Sequence, residues 1–187
     1  SVPKVSGFKS ASVTIDSYKL VWNAVQNAQG YYLYRFSNET GDFERVAILN
    51  TTEYAFSEKD VAERDSYRIC AYATVNGKRM YGEMTDTLDV STRPESTMLY
   101  KGEDALRNGK VKLEWDECEK CDGYLIYVSN DPDSGFSLAK EVSDSGTTSA
   151  VVSGLENTVL YFRIKSYVLT GGTYVVSKES NTVRVLV

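Results

Sequence analysis

The chain has 187 residues, a net charge of −5 and a pI near 4.9, with 42% apolar and 25% charged residues and three prolines. The ordinary apolar fraction excludes a disordered segment. The acidic balance, with basic residues spread along the chain, excludes a nucleic-acid partner, which needs a basic patch.

Period-two alternation dominates, and no long stretch holds a helical period. Tyr18, Leu20 and Trp22 share one face of a first clear strand. Strands are predicted next at 31–36, 43–49, Glu53–Phe56, 67–74 and 78–90. The pattern then repeats: Val111, Leu113 and Trp115 on one face, then strands at 124–129, 136–142, Ser149–Val152, 161–170 and 173–186. Asn76-Gly77 and Gly171-Gly172 are two-residue hairpin signals, since both central residues of such a turn need positive φ. Asn38–Asp42 and Asn130–Gly135 read as longer polar loops. The start of the second half, 97–108, is weakly patterned.

The two halves are copies. Trp115 follows Trp22 by 93 residues (115 − 22 = 93), and Gly123-Tyr124 follows Gly30-Tyr31 by the same interval. Tyr67-Arg68-Ile69 answers to Phe162-Arg163-Ile164 at 95. A period near 90 residues exceeds the roughly 20–50 of solenoid units and matches a small domain. About seven short strands per copy, with frequent turns, is the signature of a β-sandwich. The expected organisation is all-β, with domains at 1–91 and 97–187. They are joined by the polar, proline-containing stretch 91–96, whose extended reach is about 20 Å. The abrupt start at Ser1 and the strand-like finish at Val183-Arg184-Val185-Leu186-Val187 read as a piece of a longer parent chain with other domains. No apolar run in the piece approaches the ~20 residues of a membrane span.

These residues resemble the fibronectin type III module. The first copy carries Trp22-x-x-Val25-x-x-Ala28-x-Gly30-Tyr31-x-Leu33-Tyr34-Arg35, then Tyr67-Arg68-Ile69-x-Ala71-Tyr72 and a turn at Asn76-Gly77-Lys78. The second carries Trp115, Gly123-Tyr124-x-Ile126-Tyr127 and Phe162-Arg163-Ile164-x-Ser166-Tyr167. The resemblance covers nearly the whole chain and looks most like modules of bacterial secreted and cell-wall proteins. It implies two tandem immunoglobulin-like, seven-stranded β-sandwiches with the Trp between the sheets. It also implies an extracellular or cell-surface location and a role in spacing, adhesion or receptor contact. The sequence departs from the pattern at the tyrosine corner, where Asp65 and Leu160 stand at the expected positions. Neither the hairpin at Asn76-Gly77 nor the one at Gly171-Gly172 carries Arg-Gly-Asp, and the Trp-Ser-x-Trp-Ser signature of cytokine receptors is missing.

The chemistry of the side chains argues against catalysis. There is no histidine, which removes the commonest general base, metal ligand and nucleophile partner. Three cysteines fall short of a four-ligand zinc site, and no cofactor fingerprint is present. Cys118 and Cys121, in Cys-Glu-Lys-Cys, stand where Val25 and Ala28 stand in the first copy. They read foremost as small residues packed under a loop, with a local disulfide as the alternative and redox chemistry as a third. Cys70 alternates outward on its strand, as a free thiol on a partly covered sheet face, and as an odd thiol it leaves an intermolecular bridge open. Asp131-Pro132-Asp133 offers too few oxygens for calcium and reads as a turn.

Tyrosine is abundant: 14 Tyr against 6 Phe and 2 Trp. If Tyr67, Ile69 and Ala71 face the core, Arg68 and Tyr72 lie outward, and Tyr32, Tyr34, Phe36 and Tyr81 join them. Such residues either make cross-strand pairs or anchor a partner. The other candidate is the exposed, basic turn Asn76, Lys78 and Arg79. The partner expected is a protein or a glycan. The functional expectation is a non-catalytic spacer or adhesion segment. The alternatives are an accessory carbohydrate-contacting segment of a secreted polysaccharide-active enzyme, or a receptor ectodomain.

Overall fold

The computed structural model describes residues 1–102 and 108–187, and the regular structure among them is all β-strand. Two compact units form, Ser1–Thr92 with Thr170–Gly172 and Arg93–Leu169 with Thr173–Val187. Among the described residues no helix is long and apolar enough to cross a membrane.

The first unit runs β1 (Lys9–Ala11), β2 (Tyr18–Val21), β3 (Gly30–Ser37), β4 (Asp42–Leu49), β5 (Glu53–Phe56), β6 (Arg64–Val75), β7 (Lys78–Tyr81) and β8 (Leu88–Ser91). One sheet is β1-β2-β5; the other is β4-β3-β6-β7, with β8 also on β6. The second unit repeats this with β9 (Leu99–Lys101), β10 (Val111–Trp115), β11 (Gly123–Ser129), β12 (Ser137–Val142), β13 (Ser149–Val152), β14 (Val159–Thr170), β15 (Thr173–Val176) and β16 (Val183–Leu186). Its sheets are β9-β10-β13 and β12-β11-β14-β15, with β16 on β14. The weak stretch 97–108 does supply a strand, β9, paired to β10; the part of it at 103–107 lies outside the described residues.

Inward residues of the two sheets close each core. Trp22 joins Leu20, Tyr31, Leu33, Ile69 and Val90, and Trp115 joins Leu113, Tyr124, Ile126, Phe162 and Ile164. The two indoles are 5% and 4% exposed. Each leans on the tyrosine of its Gly-Tyr pair, with ring centroids 5.5 Å apart for Trp22–Tyr31 and 5.3 Å for Trp115–Tyr124. That tyrosine has a polar task as well. Its hydroxyl accepts the amide of the loop after the Trp strand, from Val25 at 3.0 Å and from Cys118 at 2.9 Å. The glycine before it is required first by the neighbouring strand and then by a second aromatic. A Cβ on Gly30 would lie 2.5 Å from the Leu49 carbonyl oxygen and 2.7 Å from the Tyr72 hydroxyl, and one on Gly123 would run into the Val142 carbonyl oxygen and lie 2.7 Å from the Tyr167 hydroxyl.

The final strand of each unit is divided, where the alternation predicts one strand over 78–90 and one over 173–186. In the gaps, side-chain hydroxyls take amides that ladder carbonyls would otherwise accept. Ile69 N–H donates to Thr85 Oγ1, Ser166 N–H to Ser177 Oγ and Ile164 N–H to Ser180 Oγ.

The cores differ at one end. In the first unit Tyr18 donates to Asp65 at 3.0 Å, which leaves its oxygen to accept from Tyr67 at 2.6 Å. Lys59 anchors Asp65 at 2.7 Å and also pairs with Glu63. In the second unit the same positions hold Val111 and Phe162, and the junction is apolar. Burial, above all, raises both Tyr18 and Tyr67 well above the usual 10.0. A phenol in the unfolded chain ionises near 10 while the folded one keeps its proton. This contribution is therefore fully present below pH 10 and is lost as pH rises above it.

Two outcomes are expected. Trp22→Ala or Trp115→Ala costs roughly 3–5 kcal/mol in denaturant titration, the usual penalty for emptying a core aromatic site; a loss below about 1 kcal/mol contradicts the buried-indole core. Tyr18→Phe costs about 1–2 kcal/mol at neutral pH, since Asp65 and Tyr67 each lose a partner. It also flattens the decline in stability above pH 10; an unchanged alkaline slope counts against the hydroxyl network.

Candidate binding face

The outward side of the sheet β4-β3-β6-β7 gathers most of the residues that the sequence singles out. Strand β3 alternates regularly, so Tyr31 and Leu33 enter the core while Tyr32, Tyr34 and Phe36 point away. Opposite them on β6 lie Cys70, Arg68 and, one pair along, Tyr72. Tyr81 on β7 faces Tyr72, and Arg79 faces Thr74.

Tyr32 is the hub, although it is only 5% exposed. Its ring lies 4.9 Å from that of Tyr72 and 5.5 Å from that of Tyr81. Arg45 covers its face at 4.7 Å, and Arg79 Nη1 donates to its hydroxyl at 2.7 Å. Arg79 also lies over Tyr72 at 4.6 Å. A hydrogen bond from Tyr81, then the nearby Arg79 and Arg45 guanidiniums, hold the Tyr32 phenol below its ordinary 10.0. Tyr81, the donor, is raised for the same reason. Further along, Arg68 lies 4.3 Å over Phe43 and donates to Thr87 at 2.9 Å, while Phe36 packs on Phe43 at 5.4 Å.

Arg45, Phe43 and the half-exposed Ile48 on β4 complete the face, and sequence reasoning missed them. The cause is a bulge. Leu33 pairs with Ala47 but Tyr34 with Arg45, so Val46 is looped out and the outward phase of β4 changes there. Simple alternation across 43–49 cannot show that shift; the only hint is aromatic Phe43 two residues before Arg45. None of the outward positions named above is Asp or Glu.

The other candidates fall elsewhere. Asn76 and Gly77 make the expected turn, with φ of 50° and 75°. Asn76 and Lys78 border a separate cleft of about 850 Å³, walled by Val2, Pro3, Gln26, Asn27, Ala73, Val75 and Met80. Arg79 therefore belongs with the tyrosines and not with its neighbours in the turn. Cys70 faces outward as expected but is buried beneath this layer, not partly covered. Burial pushes its thiol up, which counts against an intermolecular bridge. Cys118 and Cys121 are free thiols within the second core. The hydrogen bond from Cys121 draws Cys118 down to about 7, and Cys121 rises correspondingly. Asp131 Oδ1 accepts the amides of Asp133 and Ser134, so its carboxylate is spent on the turn.

The second unit presents a different face at the same place. Leu125 stands for Tyr32, Glu141 for Ile48 and Leu138 for Arg45. The Tyr167 and Tyr174 hydroxyls both donate to Glu141 Oε1, at 2.9 and 3.0 Å. Arg163 covers Phe136 at 4.1 Å as Arg68 covers Phe43, but it is paired with Glu179 at 2.7 Å.

The hub makes a spectroscopic prediction. In a tyrosine-resolved NMR titration, Tyr32 ionises below pH 10, and Arg79→Gln moves its titration upward. A Tyr32 that ionises at or above the ordinary value, or that ignores the substitution, contradicts this geometry.

No family model matches the chain, and no curated protein matches it significantly. Solved structures do. The fibronectin domains FN1–FN3 of chicken CNTN1 align over 100% of this chain and 66% of their own, with a TM-score of 0.51 and 13% identity. This chain thus spans about two thirds of that one. A two-domain fibronectin type III segment of chicken tenascin aligns over 98% of both chains, with a TM-score of 0.43 and 15% identity. The FN3tt structure aligns over 49% of this chain and 96% of its own, with a TM-score of 0.39 and 18% identity. The protein is thus two fibronectin type III-like sandwiches in tandem.

Proposed function

We propose that the chain is a non-catalytic extracellular spacer and contact segment of a longer protein, and that its first module meets a protein partner through the outward face of β4-β3-β6-β7. The observation that supports this reading most is the layer around Tyr32, where aromatic and arginine side chains, the types enriched at contact hot spots, are held in place by one another. The fold itself is used generally for spacing and binding, and such modules are commonly extracellular.

The glycan reading fares worse on the same geometry. Sugar rings stack on open, flat aromatic faces. Here Arg45 lies over Tyr32, Arg79 over Tyr72 and Arg68 over Phe43. Tyr81 alone of the hub is largely open, at 54% exposed. A receptor ectodomain remains a variant of the protein-contact reading, because it would use the same surface.

The test is a paired screen of the two-module chain on protein and glycan arrays. Tyr72→Ala and Tyr34→Ala are expected to abolish the protein hits while the thermal midpoint of each module stays above physiological temperature. Hits confined to glycans, or protein hits that survive both substitutions, overturn the proposal.

A further inference from the structure

We propose that the face around Tyr32 takes an acidic polypeptide segment, whose carboxylates are received by Arg45, Arg79 and Arg68. This rests on the contact reading above and names its chemistry.

Charge is the first support. The protein carries 26 acidic and 21 basic residues, yet among the described residues no carboxylate forms an ion pair with any of these three arginines. They are instead laid over aromatic rings, at 4.3–4.7 Å. A guanidinium in that position is oriented but not neutralised; Arg79 spends Nη1 on Tyr32 and Arg68 spends Nε on Thr87, and each keeps further N–H donors for a carboxylate. Two of them converge on one phenol, Arg79 at its hydroxyl and Arg45 over its ring. Ordering the fork before binding lowers the entropy lost on capture.

The second module is an internal control. It keeps the sandwich and the stacked arginine but neutralises the face itself, with Glu179 on Arg163 and Glu141 on two tyrosines. The same scaffold thus exists in a self-paired and an unpaired version, and the unpaired one lies in an acidic chain.

Shape favours a polypeptide over an anionic polysaccharide. Arg68 and Tyr72, over whose ring the Arg79 guanidinium lies, are four residues apart on one strand, about 13 Å. An extended peptide spans that distance with alternate side chains facing the sheet. Beside the cations, Ile48 and Tyr81 are 53% and 54% exposed, which suits apolar side chains between acidic ones. A uronate chain has no group to place there.

The probe is a short fluorescent peptide alternating Glu and Val, measured by anisotropy against the intact two-module chain at neutral pH. A Gln-Val peptide and polygalacturonate serve as comparisons. The expected result is binding of the Glu-Val peptide alone, weakened by added salt. Arg79→Gln and Arg45→Gln each weaken it roughly tenfold or more, the scale of losing a charge-assisted pair. Arg184→Gln, on the second module, leaves it unchanged. Melting curves of the Arg45 and Arg79 variants confirm that the fold is intact; should one unfold, the other decides. Equal binding of the Gln-Val peptide, indifference to both substitutions, or tighter binding of polygalacturonate overturns the proposal. A protein hit from the arrays that is lost in Tyr72→Ala but kept in both arginine variants would leave the contact face standing and remove its acidic chemistry. Hits indifferent to all three would remove both.

Discussion

The contact between an indole and the phenol nine residues later holds each module together. Trp22 against Tyr31, and Trp115 against Tyr124, join the two sheets of their sandwiches. Each tyrosine also fastens the intervening loop by accepting an amide from it. The glycine before the tyrosine clears space for a carbonyl of the neighbouring strand and for a further aromatic ring, Tyr72 of β6 or Tyr167 of β14. A single Gly-Tyr pair therefore fixes the inner face through the tyrosine and the outer face through the glycine. The position of Tyr72 over Gly30 is the start of the layer that ends at Tyr32, Tyr81 and the arginines.

Duplication of one scaffold freed its surfaces to diverge. Most inward positions keep an apolar residue, but the aromatic end of the first core, Tyr18, Tyr54, Phe56 and Tyr67 with Asp65, gives way to Val111, Ala150, Val152, Phe162 and Leu160 in the second copy. The outward positions have changed in charge. In the first module, arginines lie over rings without acids; in the second, acids close the same region. Buried packing tolerates little, since a core is filled at near-crystal density. An outer sheet face loses only modest cross-strand energy when its residues change. Difference of function between the copies is therefore to be sought on that face, where the arginines of the first copy have no acidic partner among the described residues.

Much of this was legible in the sequence, for physical reasons. A period-two pattern with a Trp in each copy fixes which side of a strand is buried, and that alone places Tyr32, Tyr34, Arg68 and Tyr72 outward. Asn76-Gly77 announces its turn because positive φ is required there. Three features were not legible. The bulge at Val46 changes the phase of β4 without a marker residue, which hid Arg45. The burial of Cys70 depends on side chains from neighbouring strands folding over it, which no local pattern encodes. The division of each last strand rests on hydroxyls of Thr85, Ser177 and Ser180 reaching amides on the next strand. A Thr or Ser in a strand looks the same whether it makes such a bond or not.

The central claim is that the first module, and not the second, offers arginines for an acidic chain. The most direct measurement follows the side-chain Nε–Hε signals of the arginines by NMR while the Glu-Val peptide is added. The account requires the signals of Arg45, Arg68 and Arg79 to move together and saturate, with Arg163 still. Movement of Arg163 to the same degree, or shifts scattered over both modules without saturation, would contradict it.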